Sequence, residues 1–340
     1  IEYHGHDRLL LPTANIELLS KYGSDLATLD RLGSASWQAR KANMAKKIND
    51  IAKNLIKVAA SRAINKAPIL SVPNSGWHEF CSEFPFQETI DQERAINDII
   101  SDFKKGTPAD RLICGDVGFG KTEIALRAAF IAVSNFKQVA LVAPTTILCN
   151  QHFNNFLSRF RNTNIKIAQL SRLVSIKEAK KIRQDLCKGE VDIIIGTHAI
   201  LEESISFLNL SLVIIDEEQQ FGVVDKEKLK KMTSDIHILS LTATPIPRTL
   251  QQAFTGLREM SLIMTPPADR IAVQTYSIEF DKVIIKEALL REKSRGGQSF
   301  FIVPRVSDIE EIKTFLSNTV PGLSFVVAHG QMGISLLEKN

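Results

Sequence analysis

The chain has 340 residues, 44% of them hydrophobic, so it can bury more than one core, and its length predicts two or three domains. Its net charge of +4 permits a nucleic-acid partner without requiring one, and no apolar run is long enough to span a membrane. The 4 cysteines lie far apart without a C-x-x-C pair, which argues against a zinc site or a disulfide framework and indicates a reduced, cytoplasmic protein.

The first 76 residues are predicted to form a small β piece and a long helix. Residues 1 to about 25 hold two short apolar stretches, which predicts two strands whose partner strands lie upstream, because two strands are not stable alone. Residues 35–66 carry apolar side chains at helical spacing and a basic face, which is either solvated or in contact with DNA. Pro and Gly residues between 68 and 76 mark a linker. Because the chain starts with Ile, we expect it to be a piece of a longer protein.

Residues 77–266 alternate short apolar runs with helical patterns. Apolar runs bounded by polar or Gly/Pro residues predict strands buried on both faces, and helices between them predict a parallel, doubly wound α/β sheet. Function is then expected at the carboxyl ends of the strands. The clearest predicted strands are residues 139–143, 191–195, 212–215 and 238–241.

Residues 267–340 are predicted to start a second α/β unit. Two apolar runs, 300–304 and 324–328, predict buried strands, and the acidic stretch 308–316 between them predicts a helix. Because these elements do not complete a doubly wound domain, we expect the second domain to be truncated.

Residues 115–122 match the phosphate-binding pattern G-x-x-x-x-G-K-[ST], between an apolar run and a predicted helix. Its glycines are predicted to adopt positive φ, so that backbone N–H groups converge on one anion at a helix N-terminus. Lys121 supplies a charge for β- and γ-phosphates. The alternative is a Gly-rich turn before a core helix. The residues predicted to hold the nucleotide here are Gly115, Asp116, Val117, Gly118, Phe119, Gly120, Lys121, Thr122 and Glu123.

A later apolar strand ends in two acids that complete the predicted catalytic site. Asp216 and the Thr122 hydroxyl are predicted to hold Mg²⁺, and Glu217 to orient or deprotonate the attacking water. Lys121 joins them as the third predicted catalytic residue. Coupling of the γ-phosphate state to neighbouring loops is predicted for Gln219, Thr242 and Thr244, with a plain strand–turn junction as the alternative for the threonines.

Phe86 and Gln92, upstream of the phosphate loop, are predicted to bind the base. The Gln92 amide offers a donor and an acceptor, which suits both edges of an adenine, and Phe86 can stack on the ring. The predicted nucleotide is therefore ATP, bound with Mg²⁺. Alone, the same residues are typical of a helix start.

Two loops that follow strands, and the stretch 169–172 as a third candidate, are predicted to bind nucleic acid. Backbone N–H groups and threonine hydroxyls on such loops hold a phosphate backbone without reading bases, and an arginine contacts phosphate directly. His198 is expected to bind backbone or to be structural, because no partner completes a catalytic triad. The residues predicted to contact DNA are Pro144, Thr145, Thr146, Arg172, Thr197 and His198.

These motifs, in this order, resemble those of superfamily 2 helicases and translocases, whose motor has two RecA-like lobes. Residues 216–223 (DEEQQFGV) and 242–250 (TATPIPRTL) resemble the branch that contains the transcription-repair coupling factors and the RecG fork-reversal translocases. Residues 110–130, 297–300, 328–332 and the amino-terminal stretch are similar to the former family. The resemblance covers essentially the whole chain.

The resemblance implies an ATP-dependent translocase on double-stranded DNA that displaces stalled RNA polymerase and couples transcription to nucleotide excision repair. It implies that residues 1–30 end a domain that contacts the RNA polymerase β subunit and that 31–76 form the connecting basic helix. Residues 77–266 would form the first motor lobe and 267–340 the start of the second. Excision-repair proteins would bind through parts before residue 1.

Two departures from the family pattern bear on activity. Gln220 stands where Arg or His is expected. The arginine finger of the second lobe would lie beyond residue 340, and such a residue is worth about 10³–10⁵ in rate, so we expect this chain alone to bind ATP but hydrolyse it slowly. Two alternatives stay open: a RecG-like fork remodeller, and a polymerase-binding module that does not hydrolyse ATP.

Overall fold

A computed structural model describes residues 64–172, 174–202, 204–244, 258–268, 270 and 273–333, together with 39, 41–44, 46, 60 and 62. The predicted β piece and most of the predicted basic helix lie outside these residues. The chain divides into two units, Ile1–Arg270 and Ile271–Asn340, and each is described separately.

The first unit is built on a seven-stranded sheet whose order is β3-β4-β2-β5-β6-β1-β7. Every pairing in it is parallel, which confirms the predicted doubly wound α/β fold. The central strands are β1 (Asp110–Gly115), β2 (Gln138–Val142), β4 (Ile193–Gly196), β5 (Leu210–Asp216) and β6 (His237–Thr242), and the edge strands are β3 (Ile167–Leu170) and β7 (Glu259–Ile263).

Helices cover both faces of this sheet. Alternate residues of one strand enter different cores: Val139 and Leu141 pack with α2, α3 and α4, whereas Ala140 and Val142 pack with α5 and α6. No helix in the described ranges is long and apolar enough to cross a membrane. The helices of this unit are α1 (Trp77–Ser82), α2 (Ile90–Lys104), α3 (Lys121–Ser134), α4 (Thr146–Arg159), α5 (Ile176–Lys188) and α6 (Val223–Met232).

The two edge strands were not among the predicted strands. β3 reads IAQL and β7 reads EMSLI, so polar side chains interrupt the apolar run in each. An edge strand has one neighbour only, so fewer of its side chains need to be apolar, and its sequence pattern is correspondingly weaker.

The segment before the first helix supports the amino ends of the central strands. The buried Arg62 guanidinium donates to the carbonyls of Thr233 at 2.6 Å, Ala109 at 2.9 Å and Ile236 at 3.0 Å. Leu70, in the predicted linker, is 1% exposed and belongs to the main core. Arg62 lies in the stretch predicted to carry a basic face, either solvated or in contact with DNA, but its side chain is buried and bonds the protein at the edge opposite the phosphate loop.

The second unit packs α7 (Lys282–Ser294) and α8 (Ile309–Thr319) around Leu289, Leu316 and Val320. The helix predicted at 308–316 is confirmed by α8. The strands predicted at 300–304 and 324–328 are wrong, because neither run is a β-strand in the described structure. Phe300 is 95% and Ile302 88% exposed, so these apolar side chains are not buried by the described residues.

Candidate functional site

The predicted site residues gather at one edge of the sheet. Because all strands are parallel, the loops after β1 to β6 leave from the same edge. Each predicted residue from 115 to 244 lies at a carboxyl strand end, in the loop that follows it, or in the first turn of the next helix. Gln92, in the first turn of α2, contacts the phosphate loop through the Phe119 carbonyl, whereas the contact given for Phe86 is with Phe84.

The phosphate loop runs from the end of β1 to the start of α3. Gly118 and Gly120 adopt φ of 80° and 79°, which a residue with a side chain rarely does. A side chain at Gly120 would also clash with the Gln92 amide. The positive φ predicted for Gly115 is wrong: this residue ends β1, and its lack of a side chain matters because an added Cβ would lie 3.0 Å from Ile263 Cβ.

Lys121 connects the phosphate loop with the acids. Its Nζ donates to the carbonyls of Gly115 at 2.7 Å and Asp116 at 2.9 Å. Partial burial lowers the pKa of Lys121, and the negative charges of Glu217 and Asp216 oppose that shift. Lys121 therefore shares one electrostatic environment with both acids, as expected if loop and acids serve the same phosphate group.

β6 lies between the strand that carries the loop and the strand that carries the acids. Cys114 of β1 pairs with Thr242, and Asp216 of β5 pairs with Leu241. Neighbouring strands are spaced by about 4.8 Å and the register offsets Gly115 from Asp216 by two residues, so the two are separated by roughly 12 Å in the plane of the sheet. A metal–triphosphate group fits this gap.

The Glu217 side chain is held by the neighbouring loops. Its backbone is left-handed, with φ of 50°, and its carboxylate accepts from the Ala243 N–H at 3.0 Å and from the Gln219 amide. Beyond Ala243, the Thr242 and Thr244 hydroxyls lie 2.9 Å apart. Of the residues predicted to couple the γ-phosphate state to other loops, Gln219 therefore contacts Glu217 directly. Thr242 and Thr244 lie on either side of Ala243, whose N–H also contacts Glu217.

The oxygen atoms at this edge suit Mg²⁺ bound together with a nucleotide. Thr122 is the second residue of α3, and Asp216 ends β5. Within the described residues, no group of three or more His, Cys, Asp or Glu side chains could hold a metal ion. Mg²⁺ is commonly bound by one or two protein oxygens plus substrate phosphates and water, so this small donor set fits it.

The predicted base-binding residues are engaged with the protein. Gln92 is 4% exposed, and it forms a capping box with Thr89: its Oε1 accepts from the Thr89 N–H at 3.0 Å. Its Nε2 donates to the Phe119 carbonyl at 2.9 Å. Phe86 is 58% exposed and meets Phe84 edge-on. Adenine recognition by Gln92 stays a prediction, and it would use the second N–H and the second lone pair of the amide.

The remaining loop residues differ in their surroundings. Asp116 and Val117 are exposed, and the pKa of Asp116 is lowered by the Val117 N–H and by Arg270. The Arg270 guanidinium lies 3.2 Å from the Asp116 carboxylate and 4.6 Å over the Phe119 ring. Glu123 is buried and paired with Arg127 and Arg159, so its carboxylate is turned away from the loop.

The residues predicted to contact DNA follow three strands that are neighbours in the sheet, β2, β4 and β3. Thr145 caps α4, its hydroxyl accepting from the Leu148 N–H at 3.2 Å; Pro144 precedes it and Thr146 begins the helix. His198 and Arg172 are exposed, whereas Thr197 is buried. These loops form one half of the edge, and the phosphate loop and acids form the other.

Sequence reasoning missed two residues that contact the site, His152 and Arg270. His152, on α4, is 6% exposed, and its Nε2 lies 2.8 Å from Asp216 Oδ2. A histidine within the stripe of α4 that also carries Cys149 and Phe156 was the available signal, because that stripe faces the sheet. No pattern pointed to Arg270.

Glu218, the second glutamate of the acidic motif, has a structural role. Its carboxylate accepts from Ser240 Oγ and from the Arg258 guanidinium, both at 3.0 Å. Arg258 also pairs with Asp110 at 2.8 Å. Burial raises the pKa of Glu218, but Arg258 and Ser240 outweigh it and hold the pKa below its ordinary value. This side chain is therefore bound to β6 and Arg258 and does not face the phosphate loop.

Comparison with known proteins agrees with this geometry. Residues 89–253 match the DEAD/DEAH box helicase family. The chain is 52% identical to the transcription-repair-coupling factor of Rickettsia bellii and 42% identical to that of Escherichia coli, with 100% of this chain aligned in both cases. The alignments cover 31% and 30% of those proteins, so the chain spans just under a third of their length.

Solved structures give the same assignment. RecG bound to a three-way DNA junction aligns with a TM-score of 0.67 and 33% identity, over 77% of this chain and 36% of that one. The helicase MrfA bound to DNA aligns with a TM-score of 0.53 over 76% of this chain and 41% of that one, and at 15% identity it shows the RecA-like helicase fold alone. This chain is therefore similar, along its whole length, to the transcription-repair-coupling factors, and its residues 89–253 match the DEAD/DEAH box helicase family.

Proposed function

We propose that residues 77–266 form the first ATP-hydrolysing lobe of a double-stranded DNA translocase and that 267–340 begin the second lobe. One observation carries this proposal: the phosphate loop and the acids of β5 flank β6, and Lys121 lies in the electric field of both acids. The names of the relatives, which concern transcription-repair coupling, and the RecG–DNA complex support DNA as the track.

Each of the site residues has a different role in hydrolysis. Lys121 exchanges its two carbonyl partners for the β- and γ-phosphates, and the N-terminus of α3 adds its positive end. Thr122 and Asp216 would hold Mg²⁺, which would neutralise phosphate charge when bound. Glu217, held by the Ala243 N–H, orients the attacking water and accepts its proton.

The other half of the edge would hold the DNA backbone. Thr145, Thr146 and Thr197 offer hydroxyl and N–H groups, and the exposed Arg172 offers a charge. Such contacts follow the phosphates without reading bases, as a motor that moves along any sequence requires.

The proposed partners rest on the family resemblance and on the relatives' name, which concerns transcription and repair. RNA polymerase would bind through its β subunit to residues 1–30, and excision-repair proteins through segments outside this chain. Both partners act on DNA in the cytoplasm of a bacterium, and that is the location we propose. Residues 31–76 would connect the polymerase contact to the motor.

Two measurements test the proposal. A fluorescent ATP analogue should bind in the presence of Mg²⁺, and ATP hydrolysis by this chain should be detectable but slow. Nucleotide binding without any detectable hydrolysis, with or without DNA, would favour the polymerase-binding module instead.

A third measurement distinguishes the RecG-like alternative, which the structural similarity to RecG favours. The polymerase β subunit should be retained by the chain and lost when residues 1–30 are deleted. Equal retention by both forms, or by neither, would favour a fork remodeller.

A further inference from the structure

His152 is a buried polar residue that none of the predicted roles uses. It lies on α4 in the stripe with Cys149 and Phe156 that faces the sheet, and all three side chains are buried. Its Nε2 is 2.8 Å from Asp216 Oδ2. A carboxylate only accepts, so Nε2 donates in this bond. Within the described residues, Nδ1 is buried without a hydrogen-bond partner.

This arrangement is costly for a residue that only fills space. A buried nitrogen without a partner loses its bonds to water and gains none in return, whereas an apolar side chain in the same stripe would avoid that loss. Stability of the α4 packing therefore does not explain an imidazole at this position, but orientation of the Asp216 carboxylate does.

The bond determines which oxygen of Asp216 is available to a metal. Oδ2 is engaged by His152, and no hydrogen bond to Oδ1 is found in the described part of the chain. Partners that hydrogen-bond a metal-ligating carboxylate fix its orientation, and removing them weakens metal binding. His152 is placed to do this for the acid that would hold Mg²⁺.

The same helix begins at the half of the edge that would bind DNA. Thr145 caps α4 through the Leu148 N–H, and Thr146 is the first helical residue. His152 lies two turns further along, about 10 Å from the cap at 1.5 Å per residue. A helix of this length moves as one body, so a shift of its capped end moves the imidazole relative to Asp216.

We propose that His152 is a positioning residue that orients Asp216 for Mg²⁺ and links it to the first turn of α4, so that nucleic acid bound there changes the affinity for Mg²⁺–ATP. This inference rests on the proposed function. By linkage, nucleotide bound with Mg²⁺ changes the affinity for DNA by the same factor.

The test uses the 340-residue chain and a fluorescent, non-hydrolysable ATP analogue, titrated in Mg²⁺ or in EDTA, with and without a duplex. The variants are H152L, H152N and H152Q, with C149A as a packing control from the same stripe. Glutamine carries its amide nitrogen near the position of Nε2, whereas asparagine carries it near Nδ1. Only the glutamine variant should therefore keep the bond to Asp216.

We expect H152L and H152N to lose roughly 10-fold or more of the affinity gained with Mg²⁺, the usual loss for a residue that supports a metal ligand. Their affinity in EDTA should match that of the unsubstituted chain, and the DNA-induced change in affinity should fall towards none. H152Q and C149A should retain both effects. Melting curves show that the variants compared are folded.

Retention of Mg²⁺ dependence by H152L and H152N, or equal loss by H152Q and H152N, would overturn the inference alone. A DNA effect that persists in H152L would overturn the link through α4. An unsubstituted chain that binds the analogue equally well in Mg²⁺ and EDTA would overturn the proposed function, and the inference with it.

Discussion

The two halves of the functional edge are organised differently. In the half formed by β1, β6 and β5, Lys121 and Glu217 are held by backbone groups: Lys121 by two loop carbonyls, and Glu217 by the Ala243 N–H. In the half formed by β3, β4 and β2, Arg172 and His198 are exposed, and the Thr145 hydroxyl caps its own helix. Chemistry at phosphorus requires fixed geometry, whereas a grip on any DNA sequence requires accessible groups.

Among the variants that test this difference between the two halves, Glu217→Gln is expected to have the largest effect, a loss of ATP hydrolysis. The amide keeps the shape but cannot accept a proton, so hydrolysis should fall by about 10²–10⁴-fold while nucleotide affinity stays within a few fold. Single-turnover hydrolysis with the chain in excess over ATP, together with analogue binding, measures both. An equal fall in Gln219→Ala would show that the carboxylate is not the group responsible.

Lys121→Ala should abolish nucleotide binding and leave the DNA half intact. Loss of the charge on the β- and γ-phosphates should weaken the ATP analogue by roughly 10²-fold or more. Affinity for a duplex in the absence of nucleotide should not change, because no DNA candidate lies on the phosphate loop. A parallel loss of DNA affinity would mean that the two halves are not separate sites.

Arg172→Ala should weaken DNA binding and leave nucleotide binding intact, the opposite of Lys121→Ala. Removal of one phosphate contact should weaken duplex binding uniformly across sequences and reduce the salt dependence of binding by about one unit of slope. Nucleotide affinity should be unaffected. Lys177→Ala, on the neighbouring α5, serves as a control for general loss of positive charge, and an equal effect of both variants would remove Arg172 from the site.

The smallest effect concerns the stability of the acidic loop. The pKa of Glu218 is lowered in the folded state, so its contribution is complete above the unfolded pKa and is lost as pH falls through the folded pKa. Glu218→Gln should lower the free energy of unfolding by about 1 kcal/mol at neutral pH and flatten its decline in acid. Urea unfolding at several pH values measures this free energy. If the stability of the variant falls in acid as steeply as that of the unsubstituted chain, other carboxylates dominate the pH dependence.

Elements that impose strict local requirements on their residues could be predicted from the sequence alone. The central strands β2, β4, β5 and β6 are buried on both faces, so their composition alone predicted them. The phosphate loop was predicted because positive φ at Gly118 and Gly120 leaves little choice of residue. Gly115 was misread, since its requirement comes from the neighbouring strand β7 and not from its own backbone.

Features that depend on tertiary contacts could not be predicted from local sequence patterns. His152 meets Asp216 across a sequence separation of 64 residues, and Arg270 meets Asp116 across 154. The apolar runs at 300–304 and 324–328 have the composition of buried strands, but a strand also needs hydrogen-bonded neighbours, which composition does not supply. The edge strands β3 and β7 show the converse, because pairing forms them despite polar side chains.

Arg62 has a mechanical consequence. Its three hydrogen bonds fasten the preceding segment to backbone carbonyls at the amino ends of β1 and β6, the strands that carry the phosphate loop and the Thr242–Thr244 turn at their other ends. A displacement of Arg62 would therefore act on the amino ends of the two strands whose carboxyl ends carry the predicted site.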